Sequence, residues 1–307
     1  MDEFRAVYVM ADGPIADWLE RFWDGASPPG DPLAELLRPA DLRGEVVAWG
    51  GPHLTLLDAL TTADPARYDA AVRAACRRVG RPTIRPGDVA IWPTPRWDGD
   101  RAVGGSSVVL RCHCPELDAL QLELVEATRP LIARSPLADE EWQRAEWWID
   151  RVSPDAEADR GYLDAARRLY REAGGPALPS SRHFRLDRLV RLVRSIDAAP
   201  DGQAARRQTA LCHFLTHGEP PWATEGGRLH LSVATGLAGR PVARGLLDRI
   251  QARAHSLFGE FRPSGVAVLE ASEANRVAVT MTDALTGLTL PETRPGLRVR
   301  EVVPFAA

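Results

Sequence analysis

The sequence predicts an α+β fold: two pseudo-symmetric lobes of antiparallel strands with flanking helices, and a helical insertion between the two. Three observations carry this. Short stretches alternate apolar and polar residues with a period of two, as half-buried strands do. Two blocks of the chain run in one order, a histidine-bearing strand, a helix, then two more strands. Between them lies a long stretch of helical periodicity broken by Pro, Gly and Ser. The first lobe is expected over 1–136, the insertion or cap over 137–217, and the second lobe with a C-terminal tail over 218–307.

Taken in order, residues 4–10 alternate well enough for a strand, and 15–23 read as a helix. After a Pro/Gly-rich connection, the apolar run 44–49 leads through Gly50, Gly51 and Pro52 into His53-Leu54-Thr55-Leu56-Leu57. A helix follows, with Asp64 as its cap, Pro65 in its first turn and Gly80 at its exit. Strands over 88–92 and 106–111 flank a polar turn, and a helix over 115–133 closes the block with Leu117, Leu120, Leu124 and Ala127 on one side. The helical middle divides into 139–151, 162–173, 185–197 and 203–216. In its third piece, Leu186, Leu189, Val190, Val193 and Ile196 keep helical spacing, so that segment packs against something. The second block has a strand at 228–233, a helix at 242–258, and strands at 265–269 and 276–281, then a loop and a short extended tail. In both blocks about 35 residues separate the histidine from the next strand, an internal duplication of element order.

Composition narrows the chemistry. The chain has 307 residues, 45% apolar and 26% charged, enough for a substantial core and ordinary for a soluble protein. No apolar run approaches the roughly 20 residues of a membrane helix, and the opening segment does not read as a secretory signal, so a cytoplasmic protein with no membrane partner is expected. A net charge of −4 is too mild to argue for bulk nucleic-acid binding. All the basic residues are arginine, with no lysine anywhere. That excludes Schiff-base enzymes, lysyl-nucleotidylate ligases and Walker-type phosphate loops, each of which needs an ε-amine. Arginine remains well suited to phosphate, because its planar fork donates two parallel hydrogen bonds.

Alternation gives the two histidine strands their chemistry. His53 and Thr55 share a face, with Leu54 and Leu56 opposite; His230 and Ser232 share a face, with Leu231 and Val233 opposite. Arg228, two residues before His230, joins that polar face, and Tyr8 on the opening strand can stand beside the groove or pack at its rim. If the blocks pair about a pseudo-twofold, both sets converge in one groove. One imidazole then takes a proton from water or a ribose hydroxyl while the other protonates the leaving oxygen, near neutral pH. The hydroxyls and an arginine can stabilise the non-bridging oxygens.

His53-Leu54-Thr55-Leu56 and His230-Leu231-Ser232-Val233 resemble the paired signatures of the two-histidine phosphoesterases, which include RNA ligase-like proteins acting on 2′,5′ linkages and 2′,3′-cyclic phosphodiesterases. Gly51-Pro52, the segment 265–270 and the segment 277–280 sit where that family places such segments, and 218–236 is similar to the second motif of a phosphonate-metabolism branch. The resemblance covers 4–135 and 218–282 but not the central helices. It implies that His53, Thr55, His230 and Ser232 are catalytic in a metal-independent hydrolase with no cofactor. The implied substrate is a nucleotide, an RNA end or a phosphorylated small molecule carrying a cyclic phosphodiester. Two other readings stay open: a recognition module that binds RNA or a phosphorylated ligand without cleaving it, and an accessory enzyme of phosphonate use acting on a phosphoribosyl compound.

Other candidates carry less. Cys112-His113-Cys114 and Cys212-His213-x3-His217 meet no standard zinc spacing, so reduced, mostly buried thiols, surface histidines and no metal site are expected. Arg182, Arg185, Arg188, Arg191 and Arg194 recur every third residue and so wind around a helix as a solvated face. Trp142, Trp147 and Trp148 read as packing of the cap onto its domain, ahead of base stacking.

Overall fold

A computed structural model describes residues 3–36, 51–92, 96–103, 107–152, 156–180, 185–197, 204–218, 229–234, 241–259, 261–282 and 289–306. The fold is mixed helix and antiparallel sheet, the α+β class. No helix among the described residues is long and apolar enough to cross a membrane.

The opening strand β1 (Glu3–Met10) leads to helices α1 (Gly13–Trp23) and α2 (Pro32–Leu36). The apolar run 44–49 lies outside the described residues. Strand β2 (His53–Thr62) starts at the first motif histidine and runs on beyond Leu57. Helix α3 (Pro65–Cys76) is capped by the Asp64 carboxylate, which accepts from the Arg67 amide at 3.1 Å. It stops four residues before Gly80, because Arg78 and Val79 donate to carbonyls only three back and close the last turn as a tighter coil.

Strands β3 (Arg85–Trp92) and β6 (Ser107–His113) form a hairpin whose outer part contains β4 (Arg96–Asp98) and β5 (Arg101–Val103). Helix α4 (Pro115–Thr128) passes into a 3-10 turn, Arg129–Leu131, short of the expected end at 133. Pro130 cannot donate the next helical hydrogen bond. The helical middle consists of α5 (Asp139–Val152), α6 (Ala156–Glu172), α7 (Arg185–Asp197) and α8 (Ala204–His217), with two short paired strands, β7 (Arg134–Ser135) and β8 (Leu178–Pro179), at its base.

The second motif histidine opens β9 (His230–Ala234), followed by β10 (Val242–Ala243), which pairs with β5, and helix α9 (Arg244–Phe258). Two expectations fail after this helix. Residues 265–269 and 276–281 are not separate strands but parts of one strand, β11 (Gly265–Thr282), with a register break between Ser272 and Arg276. The expected loop and tail form a full partner strand, β12 (Thr289–Pro304). Pro291 and Pro295 are tolerated there because β12 lies at the end of the sheet, where a missing amide donor costs little.

Seven strands form one sheet in the order β12-β11-β1-β2-β9-β6-β3. The two histidine strands are therefore neighbours near its centre. Of the strands downstream of His53, β6 lies beside β9 and β3 beyond it at the edge, whereas strands downstream of His230, β11 and β12, join on the β1 side. One face of the sheet carries the main core. Leu54, Leu56, Leu231, Val233, Val108 and Leu110 pack there against α1, α3, α4 and α9. Among the described residues, the opposite face holds a small apolar cluster of Ala6, Tyr8, Ala267, Leu269 and Leu297.

The helical middle has a separate apolar cluster, including Trp142, Ile149, Leu163, Tyr170, Leu189 and Phe214. Backbone bonds join its base to the far end of β2: Thr61 N to Ser180 O at 2.9 Å and Ala133 N to Thr61 O at 2.9 Å. At a strand rise of 3.3 Å per residue, that junction is about 26 Å along β2 from His53.

Candidate active site

Strand pairing brings the two motifs together. β2 and β9 run antiparallel with Leu54 opposite Leu231, both fully buried in the main core. Continued by one residue in each direction, that register sets His53 opposite Ser232 and Thr55 opposite His230. All four are half-buried and lie on the face away from Leu54 and Leu231. The two histidines are diagonal neighbours, and such pairs lie about 7–8 Å apart. Imidazoles at that spacing can flank one tetrahedral phosphate, with a hydroxyl beside each.

His53 is oriented by two contacts. Its Nδ1 lies 2.7 Å from the Gly51 carbonyl oxygen. A carbonyl only accepts, so Nδ1 is the donor in this contact and carries a proton. Gly51 can aim its carbonyl this way because its φ is +105°, a region other residues rarely adopt. The ring plane is set by Tyr8, which stacks on the imidazole with centroids 3.8 Å apart and planes 3° from parallel. Tyr8 stands opposite Thr55 on β1 and is 1% exposed, so it forms a wall behind His53. Arg228 lies outside the described residues.

β9 is fixed from both sides. The Trp23 indole of α1 donates to the Val233 carbonyl at 3.3 Å, and the Cys112 amide donates to the Leu229 carbonyl at 2.8 Å. Beyond β9, β6 adds a residue that the motif reading missed. Arg111 stands opposite His230, and its exposed side chain shares the histidine face. The signal was in the sequence: Val108, Leu110 and Cys112 alternate with Val109, Arg111 and His113. Spacing alone does not say which strand borders β9, so nothing in the motifs singles Arg111 out.

The cysteine–histidine motif resolves the same way. Cys112 and Cys114 point to the core, and burial pushes their thiols up to about 12 and about 11, so both stay protonated and poor metal ligands. Cys76 is also buried and raised to about 11, whereas Cys212 is exposed. Among the described residues, no three His, Cys, Asp or Glu gather as a metal would need.

Two clefts lie away from the histidines. One, about 290 Å³, is lined by Trp142, Arg167 and Tyr170 within the helical middle. There Trp142 is tilted against Tyr170 at 6.0 Å, and the tyrosine hydroxyl is taken up by the Pro176 carbonyl and the Leu137 amide. Trp142 thus packs its own unit. Trp147 is 48% exposed beneath Arg151, and the Trp148 side chain is outside the described residues. Arg194 bonds Asp159 at 2.7 Å and lies over Tyr162; the side chains of Arg185, Arg188 and Arg191 and all of Arg182 are outside the described residues.

The other cleft, about 570 Å³, lies between Arg73, Glu270, Arg298 and Arg300. Its carboxylates are committed: Asp69 to Arg5 and Arg300, Glu270 to Arg298 and Arg300, Glu301 to Arg73. Burial pushes the Glu270 carboxyl up, but the two arginines outweigh it and hold it below its ordinary value. Neither cleft is lined by a histidine among the described residues. No family model, curated protein or solved structure matches the chain.

Proposed function

We propose that the chain is a metal-independent phosphoesterase that opens a cyclic phosphodiester of ribose, in a 2′,3′-cyclic nucleotide, an RNA end or a related ribosyl phosphate. The supporting observation is the β2–β9 register, which sets His53, Thr55, His230 and Ser232 side by side on adjacent strands, on the face away from the main core. One imidazole Nε2 takes a proton from water as its oxygen bonds to phosphorus. The other gives a proton to the ribose oxygen as the P–O bond breaks. The products are a phosphomonoester and a free hydroxyl, with the two histidines left in exchanged protonation states. Thr55 and Ser232 donate to the non-bridging oxygens, where negative charge grows. The same reading takes the sheet as two pseudo-symmetric halves meeting between β2 and β9, with 137–217 as a cap.

The test is turnover of 2′,3′-cyclic AMP and of a cyclic-phosphate-ended oligoribonucleotide in excess chelator. Formation of a phosphomonoester without added metal is expected. Inactivity on both substrates, or activity only with a divalent ion, ends the proposal. Binding that persists in His53→Ala and His230→Ala, with no wild-type turnover, marks a recognition module instead.

A further inference from the structure

We propose that Arg111 is the anion-binding residue of the histidine face, and that Asp88 is a built-in competitor which an incoming phosphate displaces. The inference rests on the phosphoesterase reading for its chemistry but not for its geometry. Arg111 stands directly opposite His230 in the β6–β9 ladder, and such pairs have Cβ atoms about 4.5–5.5 Å apart. A guanidinium there can reach a phosphate flanked by the two imidazoles and offer it two parallel hydrogen bonds.

Its partner is Asp88, whose Oδ2 accepts from Arg111 at 3.2 Å. Both side chains are more than half exposed, at 59% and 54%. Exposed pairs of this kind add little to stability. The backbone that presents Asp88 is nevertheless specifically built. β3 slips register between Pro86 and Val89, a bulge, and bulges commonly re-aim side chains beside functional sites. Gly87 lets the strands approach closely there: a Cβ would come within 2.6 Å of His113 Nε2, which would have to move, and within 3.1 Å of the Arg111 carbonyl oxygen. Helix α9, which follows the His230 strand, clamps the bulge twice. Gln251 accepts from the Val89 amide at 3.1 Å, and His255 Nε2 meets the Gly87 carbonyl oxygen at 2.5 Å. An exposed ion pair worth little to the fold thus joins Arg111, opposite His230, to a bulge that α9 holds at two points.

Asp88 lies on β3, across β6 from β9, so the carboxylate holds the guanidinium on the side away from His230 and keeps weak anions off it. A phosphate brings more negative charge and a matching fork of oxygens, and takes Asp88's place. The two residues therefore have opposite signs in binding. Arg111→Ala should lower kcat/KM for 2′,3′-cyclic AMP about 10- to 100-fold, as expected for losing a charged hydrogen-bonding partner. Asp88→Asn should lower KM. A purely structural pair predicts the reverse for the second variant, since both changes would then loosen the same strand.

The experiment compares wild type, Arg111→Ala, Arg111→Lys and Asp88→Asn in turnover of 2′,3′-cyclic AMP and in calorimetric binding of 2′-AMP. Thermal unfolding of each variant checks folding. Weaker binding of 2′-AMP to Arg111→Ala, partial recovery in Arg111→Lys and tighter binding to Asp88→Asn are expected. The binding arm stands even if wild type proves inactive, which would fail the phosphoesterase reading alone. Equal 2′-AMP affinity in wild type and Arg111→Ala, no measurable binding to either, or weaker binding to Asp88→Asn overturns the proposal.

Discussion

His53 is held at two points, by a carbonyl on Nδ1 and by an aromatic face, and each removes a different freedom of the ring. The hydrogen bond fixes the tautomer and the in-plane direction of Nε2; the stack fixes the plane. Aromatic pairs of this type are worth about 0.5–1.5 kcal/mol. Tyr8→Leu keeps most of the buried apolar volume but loses the stack, so kcat should fall about 2- to 10-fold with KM nearly constant. Steady-state kinetics on 2′,3′-cyclic AMP decides this; a raised KM at constant kcat would mean that Tyr8 touches the substrate and does not orient His53. The histidines and their hydroxyl neighbours were legible in the sequence because strand alternation is local. The Gly51 carbonyl and the Tyr8 stack were not, since neither the turn geometry nor the pairing of β1 with β2 can be read from spacing.

Among the elements, the seam between β2 and β9 matters most. It joins residues far apart in the chain, and Leu54 pairs there with Leu231, both facing the core beneath the site. Leu231→Ala leaves a cavity directly under His230 and Ser232. Such truncations cost about 2–5 kcal/mol. The variant should unfold at lower urea concentration and, under conditions where it is still folded, turn over more slowly than wild type. Full activity in the folded variant would show that the seam does not position the site. Helices and histidine strands were legible here from periodicity and punctuation, with Asp64-Pro65 as the clearest start signal. The C-terminal strands were misread for a physical reason. A bulge near Ser272 interrupts the alternation of β11, and Pro291 and Pro295 give β12 the look of a loop, although an edge strand accommodates both.

Across the whole molecule, early and late segments are tied by charge as well as by the sheet. Arg5 of β1 is 1% exposed and pairs with Asp69 of α3, which also takes Arg300 of β12. Asp69→Asn takes the nearer carboxylate from the buried Arg5 and leaves it Glu270 at 3.8 Å, so the cost is at most the roughly 3–5 kcal/mol of breaking a buried pair from one side. Urea unfolding measures this; a change below 1 kcal/mol would mean that Glu270 or water already compensates Arg5. Glu270, beside this network, adds a pH dependence. Its carboxyl lies below the ordinary value in the folded protein, so its stabilisation is present above the unfolded pKa of about 4.3 and is lost as pH falls through the folded value. The stability gap between wild type and Glu270→Gln should therefore close on acidification across that window. How a strand downstream of one histidine comes to lie beside the other was not legible, because element order alone does not fix sheet order. The central claim is that His53 and His230 work as one acid–base pair across β2 and β9. The most direct test is kcat for 2′,3′-cyclic AMP in chelator for His53→Ala, His230→Ala and the double variant. Each single change should cost about 10²- to 10⁴-fold, and the double much less than the product of the two, as for groups that act as a unit. Near-wild-type turnover in either single variant would contradict the account.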